Sequence, residues 1–447
     1  MEIENSDNSR SQEMNNMGLA LLNADKNQNA IKYFEKSIQA DLDFFEPHYN
    51  KIKAFIANEK FDEAMDCLNE IINEDENQKH AYYIKANILF YFYNSVNEAI
   101  ELYNKAIFLG EKNENIFLNL GICMSSCGQN EQAIKWIERA EKLNEKRIDI
   151  LIKKGEVLTT LERYEEAIIT YDNILVQQAD NQDAYHFKAI ILAQINNNRE
   201  ALNVLDNAEE IIGTSSIFEF DRAVIYENMQ DIEKALYYTD RALEFDDKNT
   251  VALLKKGYLL SISGDYNRAK QIFNLISDID PQNFEGMFNK ANLHMLLKEY
   301  KEANEIYNFI LDNSQDNNQF SIYSYYFKAL SLKNLGDLEG SQKAYQTAIV
   351  FYSALALKYS QDVQLMVLKA NTLRDMQKYL EADEIYEYIL ELNDKSGDVH
   401  LMRAKNYLYM SNTEKAKEQL DCAVLINKAF SEVIGLDDEF KDIYNKI

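Results

Sequence analysis

Proline is almost missing from this chain: 2 residues in 447, and 13 glycines, where ordinary usage would give about 22 and about 31. Sandwiches, barrels and propellers need a turn every few residues, so this scarcity argues against all three. It also argues against long linkers, while 46% hydrophobic and 12% aromatic residues are too many for a disordered chain. Cations are short as well. Lys and Arg number 47 against 74 Asp and Glu, a formal charge of −27. Such a surface opposes phosphate backbones and anionic lipid, both of which require clustered positive charge, so neither a nucleic-acid partner nor membrane insertion is expected. No apolar run approaches the roughly 20 residues of a membrane span; the nearest, 348–357, carries Tyr352 and Ser353. Four cysteines, Cys67, Cys123, Cys127 and Cys422, are too few and scattered for a disulfide framework, which points to a reducing, cytoplasmic setting. The first residues, Met1 to Asp7, are polar and acidic and unlike a signal peptide, so 1–10 is expected to be a disordered tail.

What the chain has in abundance is itself. An alanine followed four residues later by a large residue, or by Thr239 in one case, recurs at Ala30, Ala64, Ala99, Ala133, Ala167, Ala201, Ala235, Ala269 and Ala303 in steps of 34 or 35, then at Ala382 and Ala416. The step from Ala303 to Ala382 is 79, two repeats plus eleven, with Ser341 at the missing alanine. Twelve residues before most of these alanines stands a small residue, among them Gly18, Gly121, Gly155, Ala189, Gly257 and Ala291; the spacing from Ala86 to Ala99 is thirteen. Apolar residues at steps of three, four and seven mark one helical face. Two such faces per unit, broken by a short polar turn, give two antiparallel helices, with the small residues where their backbones cross. A single hairpin cannot bury both faces, so the units stack.

This residue set resembles the tetratricopeptide repeat family, in the small residue of the first helix, the alanine opening the second, the aromatic four later and the occasional closing Pro281. The resemblance covers nearly the whole chain and implies an all-α, right-handed superhelical solenoid. Twelve helix-turn-helix repeats are expected: a regular array of nine over 11–314, an irregular longer tenth over 315–362, two more over 363–430, and a capping helix over 431–447. The extra length of the tenth falls within Ala348 to Tyr359 and suggests an overlong second helix, read either as a tolerated kink or as a partner-facing protrusion. Family membership further implies binding of peptides or proteins in a concave groove lined by the first helices, and no catalysis.

Ten cations, Lys51, Lys85, Lys154, Lys188, Arg222, Lys256, Lys290, Lys328, Lys369 and Arg403, sit just before the small residue of the first helix. Either they read an acidic peptide, or their stems pack along the helix interface while their heads reach nearby carboxylates, Glu63, Glu98, Glu166, Glu200, Glu302 and Glu381 being the expected partners. Some members of the family clamp a chaperone's C-terminal carboxylate with Lys and Asn side chains. Asn87, Asn119 and Lys153 approach that pattern, but Tyr83 replaces its first Lys and a later cation is wanting. Another branch presents an asparagine ladder, matched here only at Asn50, Asn119 and Asn289. The groove does offer aromatic anchors at Tyr49, Tyr83, Phe220, Phe288 and Tyr326, with Asn87, Asn292 and Asn371 close by in sequence, a mixture suited to a helix or extended segment.

Cys123 and Cys127 are four apart, but no second pair completes a metal site; both read as small core residues, and no metal, cofactor or small-molecule substrate is expected. The five histidines show no His-Glu-x-x-His, and no glycine loop cradles phosphate. The expectation is a non-enzymatic scaffold within a multi-protein assembly, its alternative a chaperone-linked adaptor for an acidic C-terminal peptide.

Overall fold

The computed structural model describes residues 2–41, 44–315, 318–358, 362–436 and 440. Among them there are 25 helices and no strand, and they divide into two units, 1–230 and 231–447. The first holds α1 (Glu2–Leu22), α2 (Asn27–Ala40), α3 (Glu46–Ala57), α4 (Phe61–Glu74), α5 (Lys79–Tyr91), α6 (Val96–Phe108), α7 (Glu114–Ser126), α8 (Asn130–Leu143), α9 (Ile148–Thr160), α10 (Tyr164–Gln177), α11 (Gln182–Gln194), α12 (Asn198–Ile212) and α13 (Ser216–Asn228). The second holds α14 (Ile232–Phe245), α15 (Thr250–Ile262), α16 (Tyr266–Ile279), α17 (Phe284–Leu296), α18 (Tyr300–Asn313), α19 (Gln319–Asn334), α20 (Leu338–Lys358), α21 (Val363–Asp375), α22 (Tyr379–Leu392), α23 (Gly397–Tyr409), α24 (Thr413–Ile426) and α25 (Phe430–Leu436). Within each unit, odd helices pack on the even helix that follows and line up against one another as a wall, α5 on α7, α7 on α9, α19 on α21.

Local chemistry sets the helix starts. Asn113, Asn181, Ser215, Asn249, Asn283, Asn318 and Asp362 stand before odd helices, and each side chain accepts a first-turn backbone N–H, satisfying donors that the helix itself leaves open. The turns inside the pairs use the left-handed region. Gly128, Gly264 and Gly336 hold it, but so do Asp25, Glu59, Asn94, Glu162, Asn196, Gln230, Lys298, Gln377 and Ser411, with φ of 52° to 65°. A chain poor in glycine thus closes most of its hairpins on residues that adopt this conformation at a cost of about 1–2 kcal/mol.

The core follows the repeat. Every repeat alanine from Ala30 to Ala416 is fully buried, and so are the large residues four on, including Phe34, Tyr103, Tyr171, Phe273, Tyr307 and Tyr386. The small residue opposite is glycine where space is tightest: a Cβ on Gly155 would stand 2.4 Å from the Tyr171 ring, well inside van der Waals contact. Ser341, in place of alanine, is tolerated because its hydroxyl donates to the Ala329 carbonyl at 2.8 Å.

Some expectations change. Residues 2–10, anticipated as a disordered tail, continue α1. No proline and no glycine precede Gly18, and α1 is anchored where Ser11 donates to the Ser37 carbonyl at 2.8 Å, so the helix propagates outward from a fixed turn. The α20 helix is 21 residues long against 14 for α18 and α22. Its added turns bury Tyr352, whose hydroxyl donates to the Ile322 carbonyl at 2.8 Å, and leave Leu357 exposed. Of the anticipated capping helix, α25 and Phe440 are seen, Ile434 and Phe440 packing with Ala404 and Leu420; the rest of 437–447 lies outside the described residues, as does Tyr359.

Candidate functional site

Three successive odd helices of the first unit, α5, α7 and α9, carry Tyr83, Asn87 and Tyr91, then Asn115, Leu118, Asn119 and Ile122, then Asp149, Ile152, Lys153 and Glu156. With Arg147, these residues line one open cavity of about 440 Å³. Helical spacing accounts for it, since residues three and four apart fall on one face. Four anticipated site residues, Tyr83, Asn87, Asn119 and Lys153, are thereby brought together.

Hydrogen bonds fix their orientation. Asn119 donates from Nδ2 to Asn87 Oδ1 at 2.9 Å, and the Tyr91 hydroxyl donates to Asn119 Oδ1, also at 2.9 Å. Asn87 Oδ1 further accepts from the buried Tyr103 hydroxyl at 2.7 Å. Burial, foremost, raises the pKa of both Tyr91 and Tyr103, so the phenols stay neutral donors. The cations are engaged: Arg147 meets Asp149 through Nε and Nη2 at 2.8 and 2.9 Å and Asn115 through Nη1 at 2.5 Å, and Lys153 bonds Glu156 at 2.7 Å. The result is an apolar floor of Tyr83, Leu118, Ile122 and Ile152 edged by amides and by charges already paired.

Other anticipated residues stand apart from this cavity. Tyr49 is half-buried, edge-on to His80 at 5.1 Å, and burial pushes its phenol up to about 12. Asn50 is buried and donates to Asn15 at 3.0 Å. Phe220 and Asn289 are half-buried. Phe288 belongs to the core, with Tyr307, Phe320, Tyr323 and Phe327 at ring distances of 5.5 to 6.0 Å. Tyr326 is buried too, its hydroxyl donating to Asp375 at 2.8 Å. Asn292 and Asn371 accept from the buried hydroxyls of Tyr307 and Tyr386 at 2.7 Å, just as Asn87 does from Tyr103. An asparagine after the small residue is therefore the inner partner of a tyrosine four past the repeat alanine.

Six of the ten column cations are engaged in ion pairs within the array. Lys51 pairs with Glu35 at 3.2 Å, Lys154 with Glu141 at 2.7 Å, Lys188 with Asp172 at 2.5 Å, Lys256 with Asp240 at 2.7 Å and Arg403 with Asp383 at 2.7 Å; Arg222 reaches both Asp206 and Glu209. Each ties an odd helix to the even helix before it. The carboxylates expected as partners are used elsewhere: Glu63, Glu166 and Glu381 pair with Lys60, Arg163 and Lys378 one helical turn away. The partner stands mostly five residues after the repeat alanine because that position, and not the one before the alanine, faces the next odd helix.

Tyr91 and Arg147 were not singled out from the sequence. The thirteen-residue spacing from Ala86 to Ala99 places its extra residue in the turn 92–95, after Tyr91, and gave no signal for either. Cys123 is core, burial pushing its thiol up to about 12, whereas Cys127 is exposed. No cluster of three metal-ligating side chains occurs among the described residues, and no helix there is long and apolar enough to cross a membrane.

Family models described as "Tetratricopeptide repeat" match residues 21–88, 251–283 and 322–349, and one described as "Anaphase-promoting complex, cyclosome, subunit 3" matches 92–174. No curated protein matches. Among solved structures, YrrB, a tetratricopeptide protein with an unusual peptide-binding site, is similar at 21% identity over 44% of this chain and 97% of its own, TM-score 0.39. The Cut9–Hcn1 hetero-tetramer of the same complex matches at 13% identity over 98% and 96%, TM-score 0.43, and a tetratricopeptide protein from Parabacteroides merdae at 14% over 57% and 98%, TM-score 0.46. With the repeat running through the sequence and the helices in consecutive pairs, the chain is a tetratricopeptide repeat protein. Its fold is that of protein-interaction scaffolds, in general non-catalytic.

Proposed function

We propose that the groove across α5, α7 and α9 receives a segment of a partner protein and that the chain serves as a scaffold in a multi-protein assembly. The observation that carries this reading is the convergence of Tyr83, Asn87, Leu118, Asn119, Ile122 and Ile152 on one cavity of about 440 Å³, an apolar floor with amides at its edge that suits an extended or helical segment. The likeness of 92–174 to a subunit of a large complex supports the assembly. Four free thiols fit a cytoplasmic setting, and the acidic charge fits a protein partner better than a nucleic acid. The alternative, an adaptor clamping an acidic C-terminus, is the weaker reading, because Lys153 and Arg147 are already held by Glu156 and Asp149.

Cross-linking mass spectrometry on the native chain, with Ile122→Glu and Ile152→Glu as variants, tests it. Partner peptides should cross-link beside α5, α7 and α9 and be lost in both variants, with the fold intact by circular dichroism. Partners retained by both variants would overturn the proposal.

A further inference from the structure

A second cavity, of about 510 Å³, opens in the second unit among the ends of α19 and α21 and the starts of α20 and α22. Its wall includes Lys333, Arg374, Gln342, Gln377, Tyr379 and Tyr409. Lys333 and Arg374 are equivalent positions: each stands four residues after the small residue of its helix, Ala329 or Ala370. In most other pairs that position is apolar or small, as at Ile56, Phe90, Thr159, Ala193, Ser261 and Leu408, and at Glu227 it is acidic; a cation stands there only at Lys333 and Arg374. Two neighbouring odd helices thus bring cations, one each, to the same hollow in a protein whose formal charge is −27.

Arg374 is built into this wall. It is only 7% exposed. Its Nη1 donates to Asn371 at 3.1 Å and its Nε to Asp375 at 3.4 Å, while Nη2 has no partner among the described residues. Asp375 is the one acidic residue in the lining, and its carboxylate is occupied: Oδ2 accepts from the Tyr326 hydroxyl at 2.8 Å and from the Tyr345 hydroxyl at 3.5 Å. Lys333 is exposed and forms no ion pair among the described residues. Burying a guanidinium is costly unless its charge and donors are met; here Asp375 Oδ1 pairs with Nε at 3.4 Å, and one donor is left over beside a cavity and an exposed ammonium.

We propose that this cavity is an anion-binding site that receives a phosphate or carboxylate group carried on a partner polypeptide, with Lys333 and Arg374 donating to its oxygens and Tyr379 and Tyr409 flanking the group that bears it. Charge-assisted donors, one of them the planar fork of arginine, suit such oxyanions. The site lies in the second unit and is independent of the α5–α7–α9 groove.

Titration of the full chain with phenyl phosphate and with phenylacetate, followed by calorimetry, tests the assignment. Phenyl phosphate should bind, and Lys333→Met should weaken it about tenfold, the loss of one charge-assisted bond, with no change in melting temperature because Lys333 is exposed. Arg374→Lys should weaken binding similarly; should that variant unfold, Lys333→Met alone decides. Phenyl phosphate favoured over phenylacetate assigns a phosphorylated side chain, and equal binding assigns a carboxylate. No binding of either probe, or binding as tight in Lys333→Met as in the natural chain, overturns the proposal.

Discussion

Tyr103, Tyr307 and Tyr386 are buried large residues of the same repeat position, and each spends its hydroxyl on an asparagine. Tyr171 occupies that position too, but the residue after its small partner Gly155 is Glu156, and the Tyr171 hydroxyl is buried with no partner among the described residues. Removing a satisfied hydroxyl costs about 1 kcal/mol, whereas removing an unsatisfied one costs nothing or is favourable. Urea denaturation should therefore show Tyr103→Phe, Tyr307→Phe and Tyr386→Phe destabilised by about that amount, and Tyr171→Phe neutral or stabilised. An equal loss at Tyr171 would contradict the pairing argument. The same contrast shows where the sequence was legible. The tyrosines and alanines announced themselves by period, so burial followed. The asparagines shared the period, but whether an amide turns outward to a ligand or inward to a phenol depends on a second helix that spacing alone does not place. Phe288 and Tyr326 were misread for a similar reason: long aromatics at wall positions swing into the gap toward the next pair.

Between elements, ties from odd to even helices are ionic, but α11 and α13 are also joined directly. His186 Nδ1 lies 2.8 Å from Asp221 Oδ2, with the Asp221 side chain 1% exposed and Asp183 and Arg222 the nearest other charges. Burial disfavours the imidazolium, yet the hydrogen bond and charge of Asp221 outweigh it and hold the His186 pKa above its ordinary 6.5. Burial also raises the Asp221 pKa, against the pull of His186 and Arg222. Both groups bind protons more tightly in the folded chain. The Asp221 contribution is lost as pH rises out of the carboxylate range, starting from its ordinary 3.8, whereas the His186 contribution is complete below pH 6.5 and falls as pH rises through the folded His186 value. Denaturation midpoints at about pH 6 and about pH 8.5 should show the natural chain losing its advantage over His186→Asn at the higher pH. An advantage that grows with pH would refute the protonated tie. At this scale the pairing of helices followed from the sequence, and the extent of α1 did not, since polar composition says little about whether a helix continues from an anchored turn.

For the whole molecule, 74 acids against 47 bases mean that folding gathers like charges, and self-repulsion works against the compact state. Raising ionic strength from roughly 0.02 M to roughly 0.5 M shrinks the Debye length from about 20 Å to about 4 Å, so the melting temperature should climb with added NaCl in differential scanning calorimetry. A fall would mean that the ion pairs outweigh the repulsion. Charge was legible in the composition, and so, as one of two readings, was the pairing of Lys and Arg with carboxylates along the helix interface; which carboxylates they meet was not, because the partners stand on a preceding helix. The hairpin turns carry a last consequence. Among the described residues, nine of them bend through a left-handed residue other than glycine, from Asp25 to Ser411. Each side chain there restrains the denatured chain while straining the native one, so rigidity can be adjusted at these corners, one at a time, without altering the spine beneath them, and at all but Gln377, which lines the cavity of the second unit, without altering either proposed binding surface.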